Sequence, residues 1–224
     1  MIYEREPIMY SVIFDMDGVI FDTERIISDL WREVADEHSI PNIDEAIHRC
    51  IGITDAATKK VFEDLYGIDF PYGHYMKMVS VRFHERCDGG RIPTKPGIRE
   101  LLTFLKSKNI KTAVASSTRT AVVTEEIRDA GLSDFFDVII GGDKVTHSKP
   151  NPEIFLLAAE TLGEAPCDCY VIEDSFNGIR AARGAGMHPV MVPDMLAPDD
   201  EILSLSEAVF PSLLEVREFF DKKE

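Results

Sequence analysis

The sequence predicts an α/β fold, a three-layer parallel sheet with helices on both faces and a small α-helical domain inserted early in the chain. Three observations predict it. Short apolar runs alternate with helical patterns from about residue 93 onward. The stretch between residues 19 and 92 breaks that alternation and carries helical patterns alone. The strand-like runs end in carboxylates, hydroxyls or a nearby lysine rather than in ordinary turn residues.

Met9–Phe14 (MYSVIF), Ile110–Ala115 (IKTAVA), Val138–Ile140 (VII), Tyr170–Ile172 (YVI) and Pro189–Val192 (PVMV) are short and apolar, so they read as strands buried on both faces. Gly97–Lys108, Arg119–Ala130, Pro152–Leu162 and Asn177–Ala185 read as the helices between them. Ser212–Glu224 reads as a closing amphipathic helix. Such βαβ alternation gives a parallel sheet, and open parallel sheets hold their ligands beyond the carboxyl ends of the strands.

The interrupting region holds helical segments at Asp22–Glu37, Ile43–Arg49, Asp55–Tyr66 and His74–Arg86. It begins directly after Gly18 and ends in the glycine and proline cluster GGRIPTKPG, Gly89–Gly97, which reads as a linker. The expected division is a core of residues 1–18 and 93–224 and a helical cap of residues 19–92. Hinges are expected near Val19–Phe21 and Gly89–Lys95.

A net charge of −16, with 24 basic residues that form no run, argues against nucleic acid as a partner. The first ten residues, MIYEREPIMY, contain no continuous apolar stretch, and no run approaches the ~20 residues of a membrane span. No membrane partner and a cytoplasmic location are therefore expected. Cys50, Cys87, Cys167 and Cys169 fit neither a disulfide framework nor a zinc site, and read as reduced thiols. The last two are placed at the start of one strand, pointing the same way. The six histidines lack metal-ligand spacing.

In VIFDMDGVIFDTE, Asp15 and Asp17 stand together at the end of a buried run. Like carboxylates repel, and each costs several kcal/mol to desolvate unless a cation compensates it. The second strand ends in Ser116 and Ser117, the third leads to Lys149 in SKPNPEIF, and the fourth ends in Glu173 and Asp174. Several carboxylates, a hydroxyl and one ammonium at one edge suit a hard divalent cation such as Mg²⁺ beside a phosphate. An aspartate can attack phosphorus, and a second acid can protonate the leaving oxygen and then activate water.

The motifs DMDGVIFDTE, VASST, SKPNPEIF and VIEDSFNGIRAARGAG, in this order from about Met9 to Val192, resemble the haloacid dehalogenase superfamily. Within it the chain resembles the β-phosphoglucomutase-like group, whose helical cap follows the first motif. The resemblance implies a Rossmann-like core with Asp15 as nucleophile and Asp17 as general acid/base, the Asp17 backbone carbonyl also reaching the metal. It implies that Ser116, with Ser117 beside it, and Lys149 hold the phosphoryl group. Asp174 completes the Mg²⁺ site, with Glu173 behind it through water. Asp22 or Thr23 is expected to cap the first cap helix, while Arg119 and Asn177 frame the pocket.

A second acid at Asp17 speaks against the dehalogenase branch. A mutase of this group uses a cap histidine and a cap arginine, whose positions by ungapped counting hold Ile27 and Asp55. The expected activity is therefore hydrolysis of a small phosphomonoester, of sugar or polyol phosphate type, with a sugar phosphomutase as the alternative. A non-catalytic binding module is disfavoured, because none of the five motif positions is degenerate. The expected partner is a small phosphorylated metabolite, and the expected assembly a monomer or weak homodimer.

Overall fold

The computed structural model describes residues 10–51 and 55–223, with the side chains of Asp55 and Ala56 outside the description. Six strands, β1 (Ser11–Phe14), β2 (Thr112–Ser116), β3 (Val138–Gly141), β4 (Cys169–Glu173), β5 (His188–Met191) and β6 (Ala208–Val209), form one parallel sheet in the order β3-β2-β1-β4-β5-β6. The chain runs outward from β1 to one edge, then returns to β4 and runs to the other. That reversal puts the switch point beside β1, where doubly wound sheets carry their sites.

The helices are α1 (Thr23–His38), α2 (Ile43–Cys50), α3 (Asp55–Tyr66), α4 (Tyr72–Cys87), α5 (Ile98–Ser107), α6 (Thr120–Asp129), α7 (Glu153–Leu162), α8 (Phe176–Gly184), α9 (Asp200–Leu205) and α10 (Leu213–Asp221). Strand alternation divides the core into two layers. Val12, Phe14, Val114, Ile172 and Val190 pack with α5, α6 and α10 on one face. Ile13, Ala113, Ala115 and Val171 pack with α7 and α8 on the other. Burial on both faces explains why these strands read as unbroken apolar runs. Among the described residues no helix is long and apolar enough to cross a membrane.

Helices α1–α4 bury an apolar cluster of their own, with Leu30, Trp31, Val34, Ala46, Ile47, Phe62 and Val79 at its centre. Trp31 and Phe62 meet with ring centroids 4.7 Å apart. On the outside Arg86 donates to Glu33 at 2.6 Å and Arg82 to Glu37 at 2.5 Å, tying α4 to α1. The chain enters and leaves this unit through paired segments. The Asp22 amide donates to the Pro93 carbonyl at 2.9 Å, the Lys95 amide to the Ile20 carbonyl at 2.8 Å, and Phe21 bridges Thr94.

Several expectations need correction. Cys167 does not share a strand with Cys169: it is exposed in the turn Pro166–Asp168, while Cys169 is buried in β4. β6 and α9 were not anticipated. Asp22 precedes α1 without capping it through its side chain. The first strand begins at Ser11, and Met9 lies outside the described residues.

Candidate active site

Asp15 follows the last residue of β1 and still belongs to the ladder, its amide donating to the Ile172 carbonyl at 3.0 Å. Glu173 ends β4 and Asp174 follows it, so the β1–β4 pairing alone brings three carboxylates to one edge. One oxygen from each of Asp15, Glu173 and Asp174 lies within 4.8 Å of the others, and all three residues are buried. Lys149, from the segment between β3 and α7, enters this group. Its ammonium donates to Asp15 Oδ1 at 2.5 Å, to Glu173 Oε1 at 2.7 Å and to the Ala115 carbonyl at 3.2 Å. It also lies 4.7 Å from the centre of the Phe155 ring, a cation–π contact from α7.

Among the described residues one ammonium faces these three buried carboxylates, which when all ionised carry two negative charges more than it compensates. Burial pushes Asp15 up to about 8, with Glu173 and Asp17 adding to the rise against the pull of Lys149. Asp174 is likewise raised well above its ordinary value, by burial first and then by Glu173 and Asp15. Lys149 goes the other way: burial disfavours its charge, but Asp15 and Glu173 outweigh burial and hold the ammonium charged. The surplus of two charges and the all-oxygen donor set fit a hard divalent cation.

Glycines make room for this cluster. A Cβ on Gly18, whose φ is +81°, would stand 2.2 Å from Asp174 Oδ2, and one on Gly178 would stand 1.8 Å from Glu173 Oε1. Gly18 therefore serves the chain turn and the close approach together. Gly18→Ala is expected to displace Asp174 and destabilise the fold by about 1–3 kcal/mol. Thermal melting and a divalent-cation titration would check this; an unchanged melt and unchanged affinity would contradict it.

Asp17 takes a different position from the three acids. Its Oδ1 accepts from Thr23 Oγ1 at 2.8 Å, and its Oδ2 from Thr118 Oγ1 at 3.1 Å and Ser116 Oγ at 3.5 Å. Its side chain is thus outside the three-carboxylate group. Sequence reasoning missed both threonines. Thr23 read only as a helix opener, and the one available signal for Thr118 was its place two residues after Ser116.

Ser116 is fully buried, and its Oγ accepts from the Thr118 amide at 3.0 Å, a local turn rather than a cap of α6. Ser117 is exposed, and its side chain makes no hydrogen bond to the acid group among the described residues. Arg119 precedes α6 and is exposed. Asn177 lies in the first turn of α8, whose cap is Ser175 Oγ, accepting from the Gly178 amide at 3.1 Å. Ser175 also holds Glu173 Oε2 through its amide and its hydroxyl, both at 2.9 Å. Glu24, in the first turn of α1, is raised to about 7 by burial, then by Asp17 and Asp194.

Fold and site together define a parallel α/β protein that gathers buried carboxylates and a lysine at the carboxyl edge of its sheet, beside the switch point. The model of the haloacid dehalogenase-like hydrolase family matches residues 12–192, and the chain belongs to that family. It is 36% identical over 185 residues to a phosphorylated carbohydrates phosphatase of Thermotoga maritima, covering 81% of this chain and 84% of the relative. It is 33% identical over 191 residues to a beta-phosphoglucomutase of Bacillus subtilis, covering 82% and 83% respectively. The crystal structure of a beta-phosphoglucomutase from Clostridium difficile superposes with a TM-score of 0.73 at 29% identity, covering 96% of each chain.

Proposed function

We propose that this protein is a Mg²⁺-dependent phosphatase of small phosphorylated sugars or polyols that works through an aspartyl-phosphate on Asp15. The observation that carries the reading is Asp15 itself, buried at the end of the central strand, 2.5 Å from Lys149 and grouped with Glu173 and Asp174. Asp15, Glu173 and Asp174 would hold the cation, with the Asp17 backbone carbonyl beside them. Bound there, a divalent cation supplies positive charge that keeps Asp15 a carboxylate and lessens repulsion of an incoming phosphate.

The chain's own residues then divide the work. Lys149 and the Ser116 hydroxyl hold phosphoryl oxygens, with Ser117 at the rim. An Asp15 oxygen forms a bond to phosphorus as the ester P–O bond breaks. The leaving oxygen takes the proton of Asp17, which Thr23 and Thr118 hold in place from both sides. Asp17, now a carboxylate, removes a proton from a water that attacks phosphorus, and the bond to Asp15 breaks. Helices α1–α4, residues 19–92, form a cap that closes over this edge and excludes bulk water.

Transfer to water rather than to a second sugar phosphate is favoured by Ile27, which is half-buried against the apolar cluster of α1–α4 and carries no titrating group. Asp55 opens α3, but its side chain and Gly52 lie outside the described residues. Phosphate release from a panel of sugar and polyol phosphates tests the reading, alongside conversion of β-glucose 1-phosphate to glucose 6-phosphate with the bisphosphate present. Release without isomerisation supports a phosphatase, and isomerisation makes the protein a mutase.

The cation has a stability signature as well. Without it, folding holds on Asp15 a proton that the unfolded chain releases above its ordinary value of 3.8. The contribution of Asp15 to cation-free stability is therefore fully present below its ordinary value of 3.8 and is lost as pH rises from there through about 8. Mg²⁺ binds the deprotonated acids of the folded state only, so its stabilisation runs opposite. Melting curves with and without Mg²⁺ are expected to separate more at pH 8 than at pH 5. Equal separation at both would contradict this.

A further inference from the structure

The segment after β5 meets the helical insert at one buried charge. The Asp194 side chain is wholly buried, and its Oδ1 accepts from Lys95 Nζ at 2.7 Å and from Arg25 Nη2 at 3.3 Å. Lys95 belongs to the chain's return crossing from the insert to the core, and Arg25 to the first turn of α1. Asp22, in the outgoing crossing, stands 3.5 Å from Lys95 Nζ and 3.3 Å from Arg25 Nε. The neighbouring Met195 accepts through Sδ from Ser28 Oγ at 3.7 Å, and Ser28 is buried on α1.

Core, both crossings and the first insert helix are thus tied through one carboxylate. Lys95 also makes a backbone bond between the two crossings, so a force on its ammonium acts on the hinge itself. The second oxygen of Asp194, Oδ2, is buried with no hydrogen-bond partner. An orphaned buried carboxylate oxygen costs free energy that an apolar residue would avoid, so packing alone does not account for an aspartate here.

We propose that Asp194 is a positioning residue that, through Lys95 and Arg25, fixes the orientation of the helical insert over the acid cluster and so governs binding of substrates whose leaving group reaches the insert. This rests on the phosphatase reading for its substrate. The Asp194 anchor favours long leaving groups, such as a hexose, over short ones that end before the insert. The chemistry at phosphorus lies with Asp15 and Asp17; the hydrogen bonds of Asp194 go to Lys95 and Arg25, and its charge is the smallest of the causes that raise Asp174.

The test compares a hexose 6-phosphate with acetyl phosphate as substrates of the full chain with Mg²⁺, and follows amide hydrogen exchange at Asp22 and Lys95. Asp194→Asn is expected to raise KM for the hexose phosphate roughly tenfold with little change in kcat. Acetyl phosphate kinetics should stay unchanged, and exchange of the two hinge amides should rise roughly tenfold. Lys95→Gln should reproduce these effects and add little to them in the double variant; it carries the same test if Asp194→Asn does not fold. An equal loss for both substrates would make Asp194 merely structural, and a raised KM with unchanged hinge exchange would make it a direct substrate contact. Either result overturns the proposal. If the wild-type protein hydrolyses neither these two nor any member of the sugar and polyol phosphate panel, the phosphatase reading fails, and the hinge exchange alone decides whether Asp194 fixes the crossings.

Discussion

Replacing Asp15 by Asn is expected to lower turnover by at least about ten-thousandfold while the protein stays folded. An amide has the shape of the carboxylate but is a poor nucleophile, so attack on phosphorus is lost. The fold tolerates the change because Asp15 is one of three acids crowded within 4.8 Å, and removing one charge relieves the other two. Lys149 keeps its bonds to Glu173 at 2.7 Å and to the Ala115 carbonyl at 3.2 Å. The melting temperature of the cation-free variant at pH 8 should therefore equal or exceed that of the wild type, since burial holds Asp15 at about 8 and its ionisation works against folding. Phosphate release and thermal melting check both halves. A folded variant with substantial activity would remove Asp15 from the nucleophile's role.

Lys149→Met should do the opposite to stability. Methionine fills a similar volume against Phe155, but Asp15, Glu173 and Asp174 lose the one ammonium placed among them. Removing one partner of a buried ion pair costs roughly 3–5 kcal/mol, because the remaining charge is stranded. The expected melt is sharply lowered at neutral pH, partly restored at acid pH where the carboxylates take up protons, and partly restored by Mg²⁺. Activity should fall about a hundredfold to a thousandfold even with the cation present, the usual cost of losing one group that stabilises developing charge. A variant with wild-type stability at neutral pH would mean that the acids do not depend on Lys149.

The sheet was legible because its strands are buried on both faces, which turns Val12–Phe14 and Thr112–Ala115 into apolar runs that no amphipathic surface element would show. β6 was not, since Ala208–Val209 is two residues long and only half-buried at the sheet edge. Cys167 misled because both cysteines were read into the start of the strand, whereas β4 begins at Cys169 and Cys167 lies in the preceding turn Pro166–Asp168. The carboxylates announced themselves as charges at the ends of apolar runs. Lys149 was legible only by its place in SKPNPEIF after the third strand, since a loop lysine before a proline is ordinary by itself; its contact with Asp15, 134 residues away in sequence, is made by the fold. The threonines holding Asp17 and the Asp194 contact with Lys95 were hidden for the same reason. Each joins elements through tertiary contact, and neither periodicity nor local spacing encodes such a meeting.

Rapid-quench mass spectrometry during turnover of a sugar phosphate with Mg²⁺ tests the central claim most directly, using Asp17→Asn to slow hydrolysis of the intermediate. The expected result is a peptide containing Asp15 that carries one phosphoryl group, accumulating in Asp17→Asn and absent in Asp15→Asn. Turnover by the wild-type protein with no phosphorylated peptide in either form, or with the phosphoryl group on another residue, would contradict it.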